Sequence, residues 1–185
     1  YVWKPLSGNQ SYIVGSYIVP LSAVRISLPM IGNIDSTPYP EMVFITSGSG
    51  GTARDMYALK FEPSATKGNQ IALKWILPHT DNTGVTGATL FDFDQDGRNE
   101  IVYRDETTLR IIDGSTDPGV DTNGDGVGDG IKAIFENVRS GTLREFPIIA
   151  DIDDDGQAEI VVSGWDGIAN TINGVAANTA NGYLR

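Results

Sequence analysis

The sequence predicts an all-β chain of β-propeller type, built from about three four-stranded antiparallel units with a 59-residue period. Three observations carry this. An acidic loop recurs at constant spacing: 59 residues separate Asn33 from Asp92, and 59 separate Asp92 from Asp151. Each unit reads as short apolar or β-branched runs between Gly, Pro, Asn and Asp clusters, with no long amphipathic helical period. The loop also falls at the same place in every unit, between the first and second runs, which neither a β-sandwich nor a β-solenoid explains.

In chain order, residues 1–28 are expected to close a preceding blade or to form N-terminal strands, with strands at 12–19 and 23–28. The first unit is 29–87, the second 88–146, and the third, incomplete, 147–185. In each, a short apolar strand precedes the acidic loop, and a second strand follows at 42–45, 101–103 or 160–162. Third strands are expected at 57–61 and 109–112, and fourth strands at 71–77 and 132–138. Beyond Trp165, Asp166 and Gly167 the third unit leaves the period: residues 168–181, rich in Ala, Asn, Gly and Thr, read as a loop insertion before a strand at Tyr183. Because a propeller ring needs at least about four blades, the chain is expected to continue beyond Arg185. The remaining blades and flanking domains of the same protein are then its first partners.

With 185 residues, 40% of them hydrophobic, the chain can bury a core. The absence of cysteine excludes disulfides, thiolate catalysis and Cys-ligated zinc. No apolar run approaches the roughly 20 residues of a membrane-spanning helix, so direct membrane insertion is not expected. A net charge of −11 with no Lys/Arg cluster argues against nucleic acid as a partner.

Much of that charge sits in the loops, whose pattern is Asp-x-Asp-x-Asp-Gly-x-x-Glu. Calcium takes six to eight oxygens at about 2.3–2.6 Å, and a Gly at loop position 6 allows the turn that wraps them round the ion. The second unit offers Asp92, Asp94, Asp96, the Arg98 carbonyl and Glu100. The third offers Asp151, Asp153, Asp155, the Gln157 carbonyl and Glu159. A strand follows the Glu at position 9, unlike an EF-hand, which places its Glu at 12 on a helix. In the first unit Asn33, Asp35 and Glu41 survive, but Thr37 and Pro38 replace the third Asp and the Gly, so weak or no binding is expected. A further loop, with Asp121, Asn123, Asp125, the Val127 carbonyl and Asp129 around Gly126, fits the same arithmetic and resembles the calcium loops of thrombospondin type 3 and dockerin modules. The competing explanation is a solvated Asp/Gly turn.

Catalytic signals are sparse. His79 is the single histidine and, in a turn-like Pro78–Asn82 context, is expected at the surface. No Gly-x-Ser-x-Gly elbow or phosphate-binding loop is present, and 47–52 reads as a hairpin loop. Glu106, Glu136 and Glu145 show no evident pairing, so no catalytic residue is assigned. Of the tryptophans, Trp75 is expected in the core, while Trp3 and above all Trp165 are candidates for a sugar platform, with packing between neighbouring blades the alternative for Trp165.

The stretches Phe91–Val102 and Ala150–Val162 resemble FG-GAP/VCBS repeats, the blades of integrin-α-like propellers, and the resemblance covers roughly residues 29–185. It implies calcium in the loop joining the first two strands of a blade, where the ion rigidifies the blade while other loops recognise ligands. A looser likeness, in the Asp121–Gly130 insertion and in the run Gln157 to Val162, is to large secreted or surface proteins of Bacteroidetes-type bacteria, which implies type IX secretion and roles in adhesion or gliding motility. The expected function is therefore a calcium-stabilised extracellular binding, adhesion or structural module, with an extracellular protein or glycan as its partner. The alternative is the propeller of a polysaccharide-active lyase or glycosidase, or a lectin-like domain.

Overall fold

The computed structural model describes residues 2–5, 11–19, 23–48, 54–136, 140–142, 144–164, 171–172, 175–176 and 183–184. Among them every named element is a strand, no helix occurs, and all strand pairs are antiparallel.

A hairpin of β1 (Val2–Pro5) and β2 (Ser11–Gly15) opens the chain. After β3 (Ala23–Ile26), a meander runs through β4 (Met30–Gly32), β5 (Glu41–Gly48), β6 (Asp55–Phe61) and β7 (Ile71–Pro78). The second meander is β8 (Thr89–Phe91), β9 (Glu100–Arg104), β10 (Thr108–Asp113) and β11 (Ile131–Glu136), in the sheet order β11-β10-β9-β8. In the third unit β12 (Ile148–Ala150) pairs with β13 (Glu159–Val161).

Strand β3, in the segment expected to close a preceding blade or to form N-terminal strands, pairs with the far half of β5. The reason is length. β5 has eight residues and β4 only three, so half of one β5 edge would otherwise present unpaired backbone groups.

Further on, β14 (Ser163–Gly164) pairs with β17 (Tyr183–Leu184), which puts the expected strand at Tyr183 in place. Between them, β15 (Thr171–Ile172) and β16 (Val175–Ala176) form a short hairpin inside the stretch expected to be loop. The intervening Asn173-Gly174 dipeptide is a strong hairpin signal, masked by the weakly apolar residues around it. Trp165 and residues 49–52 lie outside the described residues, as does the side chain of Trp3.

In the first two units the second strands are heavily buried, whereas β13 of the third is half-buried. Every residue of β9 is buried, as are Val43, Phe44 and Ile45 of β5. Strands covered on both faces read as continuous apolar runs rather than as alternation, which is how their sequences read. The last strand of the second meander, β11, is mostly exposed.

The main core lies between the two meanders, joining Ile34, Val43 and Trp75 of the first to Ile101, Tyr103 and Ile112 of the second. Trp75 is only 2% exposed, as its sequence context predicts, and its indole N–H donates to the Gly114 carbonyl at 2.9 Å. A Cβ on Gly114 would come within 2.6–2.8 Å of the wholly buried Ile34 side chain. Ile34 would have to shift within the core, so Gly114→Ala is expected to destabilise the chain by about 1–3 kcal/mol. The check is the midpoint of urea unfolding; an unchanged midpoint would mean that the contact relaxes freely.

Equivalent strands of successive units are neighbours. β4 lies beside β8, and β8 beside β12, each one repeat apart. The Asn99 amide donates to the Asn33 carbonyl at 2.7 Å, and the Gly87 amide to the Glu145 carbonyl at 2.9 Å.

Candidate metal centre

The acidic loops grow from identical strand ends. In all three units the Glu at loop position 9 is the first residue of the second strand and faces the last residue of the first strand: Gly32 opposite Glu41, Phe91 opposite Glu100, Ala150 opposite Glu159. From that anchor one carboxylate oxygen accepts the amide at loop position 2, from Ile34 at 3.0 Å, Phe93 at 3.0 Å and Ile152 at 2.7 Å. The Glu thereby fixes both ends of the loop.

Inside the loop, the carboxylate at position 1 accepts the amides at positions 5 and 6. Asp92 takes Asp96 at 3.0 Å and Gly97 at 2.9 Å; Asp151 takes Asp155 at 3.1 Å and Gly156 at 2.9 Å. The position 5 carboxylate then accepts the amide at position 7, Arg98 or Gln157, each at 2.8 Å. Two backbone sites carry positive φ in each loop: Gln95 at 59° and Gly97 at 88°, Asp154 at 61° and Gly156 at 86°. Only position 6 is Gly in both, where the turn is sharpest.

These turns direct the carboxylates together. Ligand atoms of Asp92, Asp94 and Asp96 lie within 4.8 Å of one another, and so do those of Asp151, Asp153 and Glu159. Three carboxylates so close repel one another unless a cation offsets them, and an all-oxygen set suits a hard cation. Both groups can therefore hold a metal ion. Asp155 and Glu100 stand outside their clusters. The Arg98 guanidinium folds onto Asp96, its Nε donating at 2.8 Å, and this hydrogen bond leads the causes that hold the Asp96 carboxyl below the usual range. The two loops flank a cleft of about 380 Å³ lined by Phe91, Asp92, Phe93, Ala150 and Asp151.

The Asp121 loop shares the local fold, with Gly126 at φ 87° and its amide on Asp121 at 2.8 Å. Hydrogen bonds from the Gly126 and Gly124 amides keep the Asp121 carboxyl low. Asn123 accepts the Asp125 amide and Asp125 accepts the Val127 amide, both at 2.8 Å. However, Asp129 turns to the Thr122 amide, at 3.2 Å, and Asp121, Asp125 and Asp129 are not drawn into a cluster like the other two.

The first loop takes another path, because Pro38 cannot adopt the positive φ that Gly97 and Gly156 supply. Thr37 turns back instead, its amide on Asp35 at 2.6 Å and its hydroxyl on Glu41 at 3.1 Å. Asp35 and Glu41 are both buried, and Lys74 of β7 places its ammonium on Asp35 at 2.6 Å. Burial alone would raise the Asp35 carboxyl; the Lys74 contact and the Thr37 hydrogen bonds outweigh it and hold the pKa low. In the second unit Lys132 of β11 likewise places its ammonium on the loop carboxylates, at 2.9 Å from Asp94 and 2.6 Å from Glu100. These lysines escaped the sequence reading because 39 and 38 residues separate them from Asp35 and Asp94.

His79, expected at the surface, is buried instead, its ring edge-on to Tyr103 at 5.4 Å between centroids and its Nδ1 accepting the Asp81 amide at 3.0 Å. Burial lowers its pKa, and Asp81 and Asp105 only partly counter this. Of the carboxylates left spare by the sequence, Glu145 pairs with the buried Arg104, and Glu106 accepts the Asn82 amide at 3.3 Å.

No family profile and no curated protein matches the chain. Among solved structures, the chain is similar to the crystal structure of the V. cholerae biofilm matrix protein Bap1, with 20% identity and a TM-score of 0.42 over 86% of this chain. The chain spans 34% of that protein's chain. No helix among the described residues is long and apolar enough to cross a membrane, which says nothing of β-barrels.

Proposed function

We propose that the chain is part of an extracellular β-propeller whose acidic loops bind calcium, serving as a binding, adhesion or structural module of a secreted or surface-anchored multidomain protein rather than as an enzyme. The observation that carries this is the recurrence, 59 residues apart, of two carboxylate clusters on loops of one backbone conformation. Side-by-side packing of β4, β8 and β12 supports successive blades around a common axis.

Residues of the second loop that would hold the ion are Asp92, Asp94, Asp96 and Glu100, with the Arg98 carbonyl; of the third, Asp151, Asp153, Asp155 and Glu159, with the Gln157 carbonyl. Such a number of oxygens on flexible loops favours calcium over magnesium, which demands a near-octahedral set and keeps its waters. Bound calcium supplies positive charge that cancels the repulsion of the clustered carboxylates. The chain's own residues fix the loop at both strand ends, so binding favours the folded form by mass action. An extracellular setting, where calcium is abundant enough for modest sites, suits that role.

The test is thermal unfolding of the wild type and of Asp153→Ala with calcium and with chelator. At calcium 100 times the dissociation constant, one site adds about 2.7 kcal/mol, roughly 5–10 °C for a chain of this size. The variant is expected to lack that increment in calcium and to melt with the wild type in chelator. Equal melting of the two in calcium would remove the third loop from the metal sites.

A further inference from the structure

Lys74 and Lys132 hold corresponding places. Both lie on the fourth strand of a meander, and both approach the Asp at loop position 3. We infer that this fourth-strand lysine is a built-in cation of the acidic loops: it takes the ion's place in the first unit, and in the second unit it competes with the ion for Asp94 and Glu100. The inference rests on reading the loops as cation sites.

Two independent features support it. The first unit has lost the third Asp and the Gly of the loop, yet keeps Asp35 and Glu41 buried. Buried carboxylates need a compensating charge, and the Lys74 ammonium at 2.6 Å from Asp35 supplies it. The other feature is a contrast between the second and third loops. Glu159 belongs to the carboxylate cluster of its loop, whereas Glu100, with one oxygen on Lys132 and the other on the Phe93 amide, stands outside the cluster of Asp92, Asp94 and Asp96. Among the described residues no cation pairs with Asp151, Asp153 or Glu159.

An ion drawing Glu100 and Asp94 into its shell must therefore break the Lys132 contacts or bear that positive charge at close range. Either lowers affinity. The three loops thus form a graded series: lysine-filled in the first unit, weakened by lysine in the second, unopposed by a described cation in the third.

Calorimetric titration with calcium chloride tests this in the full chain carrying Asp153→Ala, which leaves the second loop as the site to be read. Adding Lys132→Met is expected to tighten its dissociation constant about fivefold, the upper end for a part-exposed ion pair. Lys60→Met, which removes the same charge from a pair with Glu62 on another strand end, is expected to leave it unchanged. Unchanged or weaker binding in the Lys132→Met chain would overturn the competition while leaving the metal sites standing. Equal tightening by Lys60→Met would reduce the effect to net charge and overturn it too. No calcium binding by the wild type would remove the metal reading and this inference together. For the first unit, Lys74→Met is expected to lower the melting temperature equally in calcium and in chelator; an unchanged temperature would overturn the assignment of Lys74 as a substitute cation.

Discussion

Arg104→Met is expected to lower the unfolding free energy by about 3–5 kcal/mol. Arg104 ends β9 and is 2% exposed. Its guanidinium donates to the Ser163 carbonyl and pairs with Glu145, which also accepts the Ser140 hydroxyl. Arg104 and Ser163 occupy the same position in successive units, 59 residues apart, so the side chain ties β9 of one unit to β14, just beyond the second strand of the next. Met keeps the apolar stem and removes the charge. Glu145 is then left partly buried without its partner, and the Ser163 carbonyl without its donor. Urea unfolding measures the loss. Because the orphaned carboxylate accounts for much of it, adding Glu145→Gln is expected to recover part, a coupling that a double-mutant cycle reads directly. A loss below about 1 kcal/mol, the scale of a surface pair, would show that the contact is not a buried tie.

Asp105→Ala follows in size, at about 3 kcal/mol. Asp105 has no exposed surface. It accepts the amides of Thr107 at 3.0 Å, Thr108 at 2.9 Å and Thr80 at 3.2 Å, and the Arg110 guanidinium at 2.7 Å. Removing the carboxylate leaves three amides and a largely buried cation without it.

The same residue sets a pH dependence. Burial alone would raise the Asp105 carboxyl, but Arg110 and the Thr107 and Thr80 amides outweigh it and hold the pKa below the ordinary value. A carboxyl with a lowered folded pKa contributes stability that is complete above its unfolded value, about 3.9, and is lost as the pH falls through the folded one. His79 acts earlier. Its folded pKa is also lowered, so the unfolded chain binds the proton first and stability falls as the pH drops below about 6.5. Acid unfolding is therefore expected in two stages, the upper removed by His79→Gln and the lower blunted in Asp105→Ala. A profile identical in all three chains would exclude both groups.

What was legible in the sequence is what local pattern encodes. The β-branched runs after Glu41, Glu100 and Glu159 gave β5, β9 and β13, and the apolar context of Trp75 placed it in the core. The loops were legible because their chemistry is contiguous: a carboxylate at position 1 reaches amides four and five residues on, and Gly97 and Gly156 mark where φ turns positive. What escaped depends on contacts between distant residues. Lys132 reads as one more charged residue on an exposed strand, and only the sheet brings it to Glu100. Arg104 and His79 look like surface residues because their types and neighbours are polar, yet Ser163, Glu145 and Tyr103 bury them. The pairing of β3 depends on the excess length of β5, which no pattern within 23–28 reveals.

The most direct test of the account is a count of calcium ions on the chelator-stripped chain by native mass spectrometry. Two ions are expected, not displaced by magnesium, falling to one in Asp92→Ala or Asp151→Ala and to none when both are changed. No bound ion in the wild type, or two ions persisting in the double variant, would contradict it.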